Sequence, residues 1–351
     1  MIFPSTYLAT LLVFILSLAC LGIWASTHKL TTKWRFELFY YDVTFGVVAA
    51  AVVAAFTFGS MNQAELTFQD SFLLTGYRKM AWAFAGGGVL NLGLILLLGA
   101  MAASRMSVAF PVSLGLGLII GVLRDDSPAP ATSPVVIFSG AAVLLAAVVL
   151  FALAPVWQER DELLKAQKPF LADPRSPAGK VQRGSKTGIV LALLSGILLS
   201  LAEPMLSEAL AGESGVGVYG GGLLLSAGVM TSSLFFLPFF LNFPLQGEPL
   251  QLRHYFKGAA KNHLFGLLGG ALLGTGHLAR LAAAAAPPAA QAGPLLVYLL
   301  NGSVAALAAL VGLVVWRDFQ GATNRVHMIL LAGLVLFLTG IAMIASGRAA
   351  G

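Results

Sequence analysis

A chain of 351 residues that is 58% hydrophobic and only 10% charged, with a mean hydropathy of +0.86, is not a soluble globular protein, whose charged fraction is about 25%. A net charge of +6 would point to nucleic acid in a soluble chain. Here it follows from the basic loops that membrane proteins keep in the cytoplasm, and nucleic acid is excluded as a partner.

Apolar runs fall at about 6–26, 42–60, 80–103, 107–123, 134–155, 187–211, 217–241, 261–281, 290–315 and 326–346. Each is long enough to cross the ~30 Å hydrocarbon core of a bilayer. The first has no basic residues before it and is read as a retained span, not a cleaved leader. It holds Cys20, the one cysteine, so no intrachain disulfide can form. Trp24 closes that span, either in an interfacial aromatic belt or as a stacking platform for a ligand. The third span is rich in small residues at Ala85-Gly86-Gly87-Gly88, which let helix backbones approach closely. It carries Asn91 near its centre, a buried amide that needs partners from a neighbouring helix or a ligand.

Residues 156–186 divide the chain into halves 1–155 and 187–351 of five spans each. This segment reads as a cytoplasmic linker, with an interfacial helix candidate at Trp157 to Lys165 followed by Pro169, Pro174 and Pro177. Within it, Gly179 to Thr187 is a near miss for a phosphate-binding loop: Ser185 separates the second glycine from Lys186, and no strand precedes it. No cofactor is therefore expected, and no metal-ligand spacing or catalytic triad stands out, so an enzyme is not expected either.

The sixth span contains Glu203 beside Pro204, past the midplane. Ionisable groups inside spans are costly and default to functional roles. Pro204 frees the carbonyl four residues earlier, at Ser200, so an acid sits at a kink. This suits a proton-coupling carboxylate; the plainer alternative is an interfacial acid like Glu208 and Glu213. In the eighth span, His277 and Arg280 share a helix face at a similar depth, so a bond to Glu203 across the bundle is feasible. Tyr298 and Asn301 lie one turn apart early in the ninth span.

Sixteen of the 21 Lys and Arg fall in the odd-numbered connections; the others are Arg78, Lys79, Arg124, Arg280 and Arg348. Basic loops remain cytoplasmic, which predicts a multi-pass inner-membrane protein with both termini periplasmic. Five spans per half inverts the second half. The ends Gly121-Val122-Leu123-Arg124-Asp125 and Val314-Val315-Trp316-Arg317-Asp318 are faintly alike, as are Gly86-Gly87 and Gly269-Gly270. Inverted repeats of this kind place a transporter's site near the midplane. The expected fold is thus all-α and integral to the membrane, ten transmembrane helices in two inverted five-helix repeats.

Several short motifs carry a resemblance: Leu21-Gly22-Ile23-Trp24, Asp42, Ala55-Phe56-Thr57-Phe58-Gly59, Ala85 through Gly93, Ser107-Val108 and Ile120-Gly121. On these the chain resembles the drug/metabolite transporter superfamily, most closely the plant ureide permeases and their bacterial relatives. The resemblance is strongest over about 15–125 and traceable over 260–346. It implies a ten-helix carrier that takes up allantoin-like ureides or nucleobases with protons. It departs from the plant members at Phe110-Pro111 and at His277, where an amide is expected. Related branches that carry sugars make a sugar transporter the alternative, and a non-transporting subunit of a larger membrane complex is another. The expected partners are a small-molecule substrate, protons and the lipid bilayer; a homodimer is compatible with the spans. Glu203 is the expected coupling residue, and Trp24, Asn91, His277, Tyr298 and Asn301 the substrate-binding ones.

Overall fold

The computed structural model describes residues 1–61, 67–124, 133–166, 185–212, 214–245 and 247–349. Asp125, Glu213, the linker prolines and the near-miss phosphate loop up to Gly184 lie outside the described residues. Among the described residues every regular element is a helix. In hydrocarbon only a helix or a closed barrel satisfies each backbone group internally.

The helices are α1 (Tyr7–Ile23), α2 (Phe36–Phe56), α3 (Phe68–Leu74), α4 (Tyr77–Ala103), α5 (Met106–Arg124), α6 (Pro134–Ala166), α7 (Ser185–Leu210), α8 (Val218–Asn242), α9 (Arg253–Phe256), α10 (Ala260–Ala284), α11 (Pro294–Leu310) and α12 (Asn324–Ala349). Ten are long and apolar enough to cross a membrane, as the sequence predicts; α3 and α9 are short connectors. The Thr6 side chain accepts from the Ala9 amide at the start of α1, and Thr67 with Asp70 forms a capping box on α3.

Two boundaries differ from the sequence reading. Helix α2 begins at Phe36, not at Asp42, because its first acid is neutralised in place: Arg35 pairs with Glu37, whose side chain is buried. The charged stretch after the fifth span is helical but not a separate interfacial helix. It continues α6 through Pro155 to Ala166.

The principal neighbours are α4 with α7 and α8, α10 with α1 and α2, α5 with α6, α7 and α11, α11 with α1 and α12, α2 with α8, and α6 with α12. Exchanging each of the first five spans for its counterpart among the last five returns the same set of pairs. The closest approaches are made by glycine. A Cβ on Gly87 would lie 2.1 Å from the Leu225 carbonyl oxygen, and one on Gly228 2.0 Å from that of Phe84. At the α2 and α10 crossing, a Cβ on Gly270 would stand 2.0 Å from the Val43 oxygen and one on Gly46 2.3 Å from that of Leu267. Lipid tails are as apolar as leucine, so close van der Waals contact of this kind, not hydrophobic drive, holds such helices together.

Hydroxyls and one amide add cross-links. Asn91 Nδ2 donates to Ser232 Oγ at 2.8 Å and to Ser233 Oγ at 3.0 Å, and Ser233 meets Thr44 Oγ1 at 3.1 Å, joining α4, α8 and α2. Ser113 donates to Ser195, which donates to the Gly93 carbonyl, both at 2.8 Å, joining α5, α7 and α4. Interhelical hydrogen bonds in membranes average about 0.6 kcal/mol, whereas overpacking a tight contact costs about 1–3 kcal/mol. Gly228→Leu should therefore lower thermal stability in detergent by more than Asn91→Ala does, read by the unfolding midpoint of the purified protein. The reverse order would show that the polar cluster, not the glycine seat, holds α4 to α8.

Candidate functional site

Six spans surround a cavity of about 350 Å³. Helix α10 contributes Leu273, His277 and Arg280, and α4 contributes Leu90, Leu94 and Leu97 at the same spacing. Helix α5 lines it from Phe110 to Arg124, α7 adds Leu199, Ser200 and Glu203, α11 adds Tyr298 and Asn301, and α1 ends on Leu21 and Trp24.

Polar groups are confined to one end. Arg280 holds Glu203 through two bonds, Nη1 to Oε1 and Nη2 to Oε2, each 2.9 Å. This fork geometry adds direction to charge attraction. Half of the Glu203 side chain remains accessible, against 20% of Arg280, so the pair is not sealed in protein. The local backbone explains a third group. Pro204 cannot supply the amide that would bond the Ser200 carbonyl, and Arg124 Nη1 donates to that oxygen instead, at 2.7 Å. The last residue of α5 is thereby tied to the proline turn of α7.

Of the residues singled out in the sequence, Trp24, Glu203, His277, Tyr298 and Asn301 all line this cavity. His277 stands one turn before Arg280, but the carboxylate goes to Arg280 alone. Asn301 has no hydrogen-bond partner among the described residues. The Tyr298 ring is covered by the Arg348 guanidinium, 4.6 Å from its centroid. Trp24 is 2% exposed and lies against Phe110, with ring centroids 6.4 Å apart. Asn91, expected among the ligand-binding residues, lies outside the cavity lining, because Ser232 and Ser233 already engage its amide nitrogen within the α4 and α8 contact.

At the opposite end the lining stops at Trp24 and Phe110, and one turn further on the chain is locked. Lys29, in the tight helical turn Trp24–Leu30, pairs with Asp318 Oδ1. Asp318 Oδ2 accepts from the Ser107 amide at 3.0 Å and from its hydroxyl at 2.9 Å. The chain reaches this position through a π-helical turn over Val311–Val315 and a left-handed Arg317, φ 50°, a backbone that costs about 1–2 kcal/mol. The Asp318 amide returns to the Gly312 carbonyl at 3.0 Å. We call this contact between the Trp24–Leu30 turn, α5 and the turn before α12 the latch.

A second titratable group sits nearby. Asp42, 2% exposed, accepts from Tyr255 Oη at 2.6 Å and faces His263 Nδ1 at 3.0 Å. Burial and the neighbouring Asp42 push the Tyr255 phenol above its usual range, so it keeps its proton and donates. Sequence reasoning treated acids near span ends as interfacial and missed both Asp42 and Asp318. The available signals were Asp42 standing one turn before Gly46, on the face that meets α10, and the repeated Arg-Asp that closes the fourth and ninth spans.

No protein-family model matches the chain. Ureide permease 1 of Arabidopsis thaliana is 22% identical over 383 aligned positions, covering 94% of each protein. A solved crystal structure superimposes with a TM-score of 0.51 at 13% identity, covering 98% of this chain and 99% of its own. That likeness shows a shared fold. Ten membrane-length helices and a full-length, distant similarity to a permease support a membrane transporter.

Proposed function

We propose that the protein is a secondary active carrier of a small organic molecule. It works by alternating access between two inverted five-helix halves, with Glu203 coupling the cycle to protons. The observation that carries this reading is a cavity walled by both halves, charged at one end and latched one turn beyond the other. Two features support the inversion. The helix pairings map onto themselves when the halves are exchanged, and Gly87, Leu90, Gly93, Leu94 and Leu97 in α4 recur at the same spacing as Gly270, Leu273, Gly276, His277 and Arg280 in α10. With the basic connections in the cytoplasm, the charged end faces the periplasm and the latch faces inward, an outward-facing arrangement. The Glu203 and Arg280 pair then opens and reforms as cargo and proton arrive, because half of the carboxylate is already accessible. The name of the plant relative makes ureides the first cargo to assay, with sugars second.

Two measurements test the carrier. In proteoliposomes offered labelled allantoin, uracil, glucose and 4-phenylbutyrate, an inward proton gradient should stimulate uptake of at least one. Glu203→Gln should abolish that stimulation while leaving counterflow exchange measurable; stimulation that survives removes Glu203 from coupling. For the latch, a cysteine at Leu114 in a Cys20→Ala background should react with a membrane-impermeant maleimide from the periplasmic side only. Asp318→Asn should raise labelling from the cytoplasmic side at least threefold, and an unchanged ratio would mean that the latch does not gate the cavity.

A further inference from the structure

The carrier reading leaves the cargo open, and the cavity wall narrows it. Ten of the lining side chains are leucine, tryptophan or phenylalanine: Leu21, Trp24, Leu90, Leu94, Leu97, Phe110, Leu114, Leu118, Leu199 and Leu273. They line the cavity down to the tilted Trp24 and Phe110 pair. The lining stretch of α5 from Phe110 to Arg124 spans about 21 Å at ~1.5 Å per residue. A cavity of about 350 Å³ drawn out over that length is a slot, not a sphere. A sugar or ureide is polar around its whole perimeter, and each hydroxyl or amide desolvated without a partner costs about 1–3 kcal/mol. The leucine strip on α4 offers such a cargo nothing to bond.

Charge decides the other end. Among the described lining residues the carboxylate, guanidinium and imidazole groups are Glu203, Arg124, Arg280 and His277. Glu203 occupies the Arg280 fork. Arg124 bonds only a neutral carbonyl, at Ser200, and pairs with no carboxylate among the described residues. Among the described lining residues the polar end therefore holds one more guanidinium than carboxylates, and Arg124, exposed at the end of α5, is within reach of an incoming anion. The volume lies at the lower end of the range for drug-sized ligands, about 300–1,000 Å³, so a two-chain phospholipid does not fit.

Resting on the carrier reading, we infer that the cargo is an elongated amphiphilic monoanion, its apolar or aryl body in the leucine slot against Trp24 and Phe110 and its carboxylate on Arg124. Arg280 lies beside it, so the cargo carboxylate and Glu203 compete for the two guanidinium groups.

The test is equilibrium binding to the full-length protein in phosphatidylcholine nanodiscs, by calorimetry, with 4-phenylbutyrate, 4-phenylbutanol, 4-phenylbutylamine, glucose and allantoin. The acid should bind at least tenfold more tightly than the alcohol, and the amine more weakly still. Arg124→Gln should bring the acid down to the affinity of the alcohol and leave the alcohol unchanged, which also shows that the variant is folded. Leu114→Asn should weaken acid and alcohol alike, at least fivefold. The inference is overturned if the amine or alcohol binds as tightly as the acid, if Arg124→Gln leaves the preference intact, or if glucose or allantoin binds best. Acid binding without gradient-driven movement of any probe would remove the carrier reading and keep the ligand class. Gradient-driven allantoin or glucose uptake without acid binding would do the reverse.

Discussion

The structure depends on how closely α4 and α10 can be seated on their neighbours, and glycine sets that distance. Gly87 seats α4 on α8, and Gly93 seats it on α7, where an added Cβ would stand 2.9 Å from Leu199. Gly270 seats α10 on α2, and Gly276 seats it on α1, where the contact would be Leu21 at 2.8 Å. On a helix of 3.6 residues per turn, Leu90, Leu94 and Leu97 fall in the strip between the two seats of α4, as Leu273, His277 and Arg280 do on α10. The cavity is what remains between two helices each pinned along both flanks. A side chain larger than hydrogen at any seat moves a wall as well as loosening a crossing.

The same spacing with different chemistry gives the cavity its polarity. Leu94 stands where α10 has His277, and Leu97 where it has Arg280. Charge inside a bilayer costs about 2.5–3.5 kcal/mol per group even on permissive scales, and here it is gathered at one end, where Arg280 holds Glu203 and Arg124 takes the Ser200 carbonyl. The latch is built differently. Asp318 is nearly buried and takes three bonds from two other elements, Lys29 and both donors of Ser107. One carboxylate is half accessible beside its arginine and the other is tied to both donors of one serine.

Much of this was legible in the sequence, for identifiable reasons. Span number follows from hydropathy because the bilayer leaves little choice of backbone structure. Glu203, His277 and Arg280 could be found because charge within an apolar run is rare, and Pro204 announced the free Ser200 carbonyl that Arg124 takes. Asn91 was read as a ligand group since a central amide looks the same whether its partners are cargo or serine; only tertiary structure brings Ser232 and Ser233 to it. Asp42 and Asp318 were hidden by position. Each lies near a span end, where an acid is ordinarily solvated, and their partners Tyr255, His263, Lys29 and Ser107 come from distant parts of the chain. The charged extension of α6 was cut off as a linker because hydropathy falls there, although helical propensity does not.

That extension has a mechanical consequence. The span-length part of α6, Pro134–Leu164, holds 31 residues, a rod of about 46 Å at ~1.5 Å per residue, well beyond the ~30 Å of hydrocarbon. Its projecting end is not idle. The Arg325 guanidinium lies 3.8 Å over the Trp157 ring, and Thr323 donates to Asp161 at 2.9 Å, so the rod grips the first turn of α12 and the residue before it, a few residues from Asp318. A rod that overhangs its support is a lever: a tilt of about 10° about one end moves the other by about 8 Å at this length. A tilt of α6 at the edge of the bundle would therefore displace the start of α12, beside Asp318, by more than it displaces its own pivot.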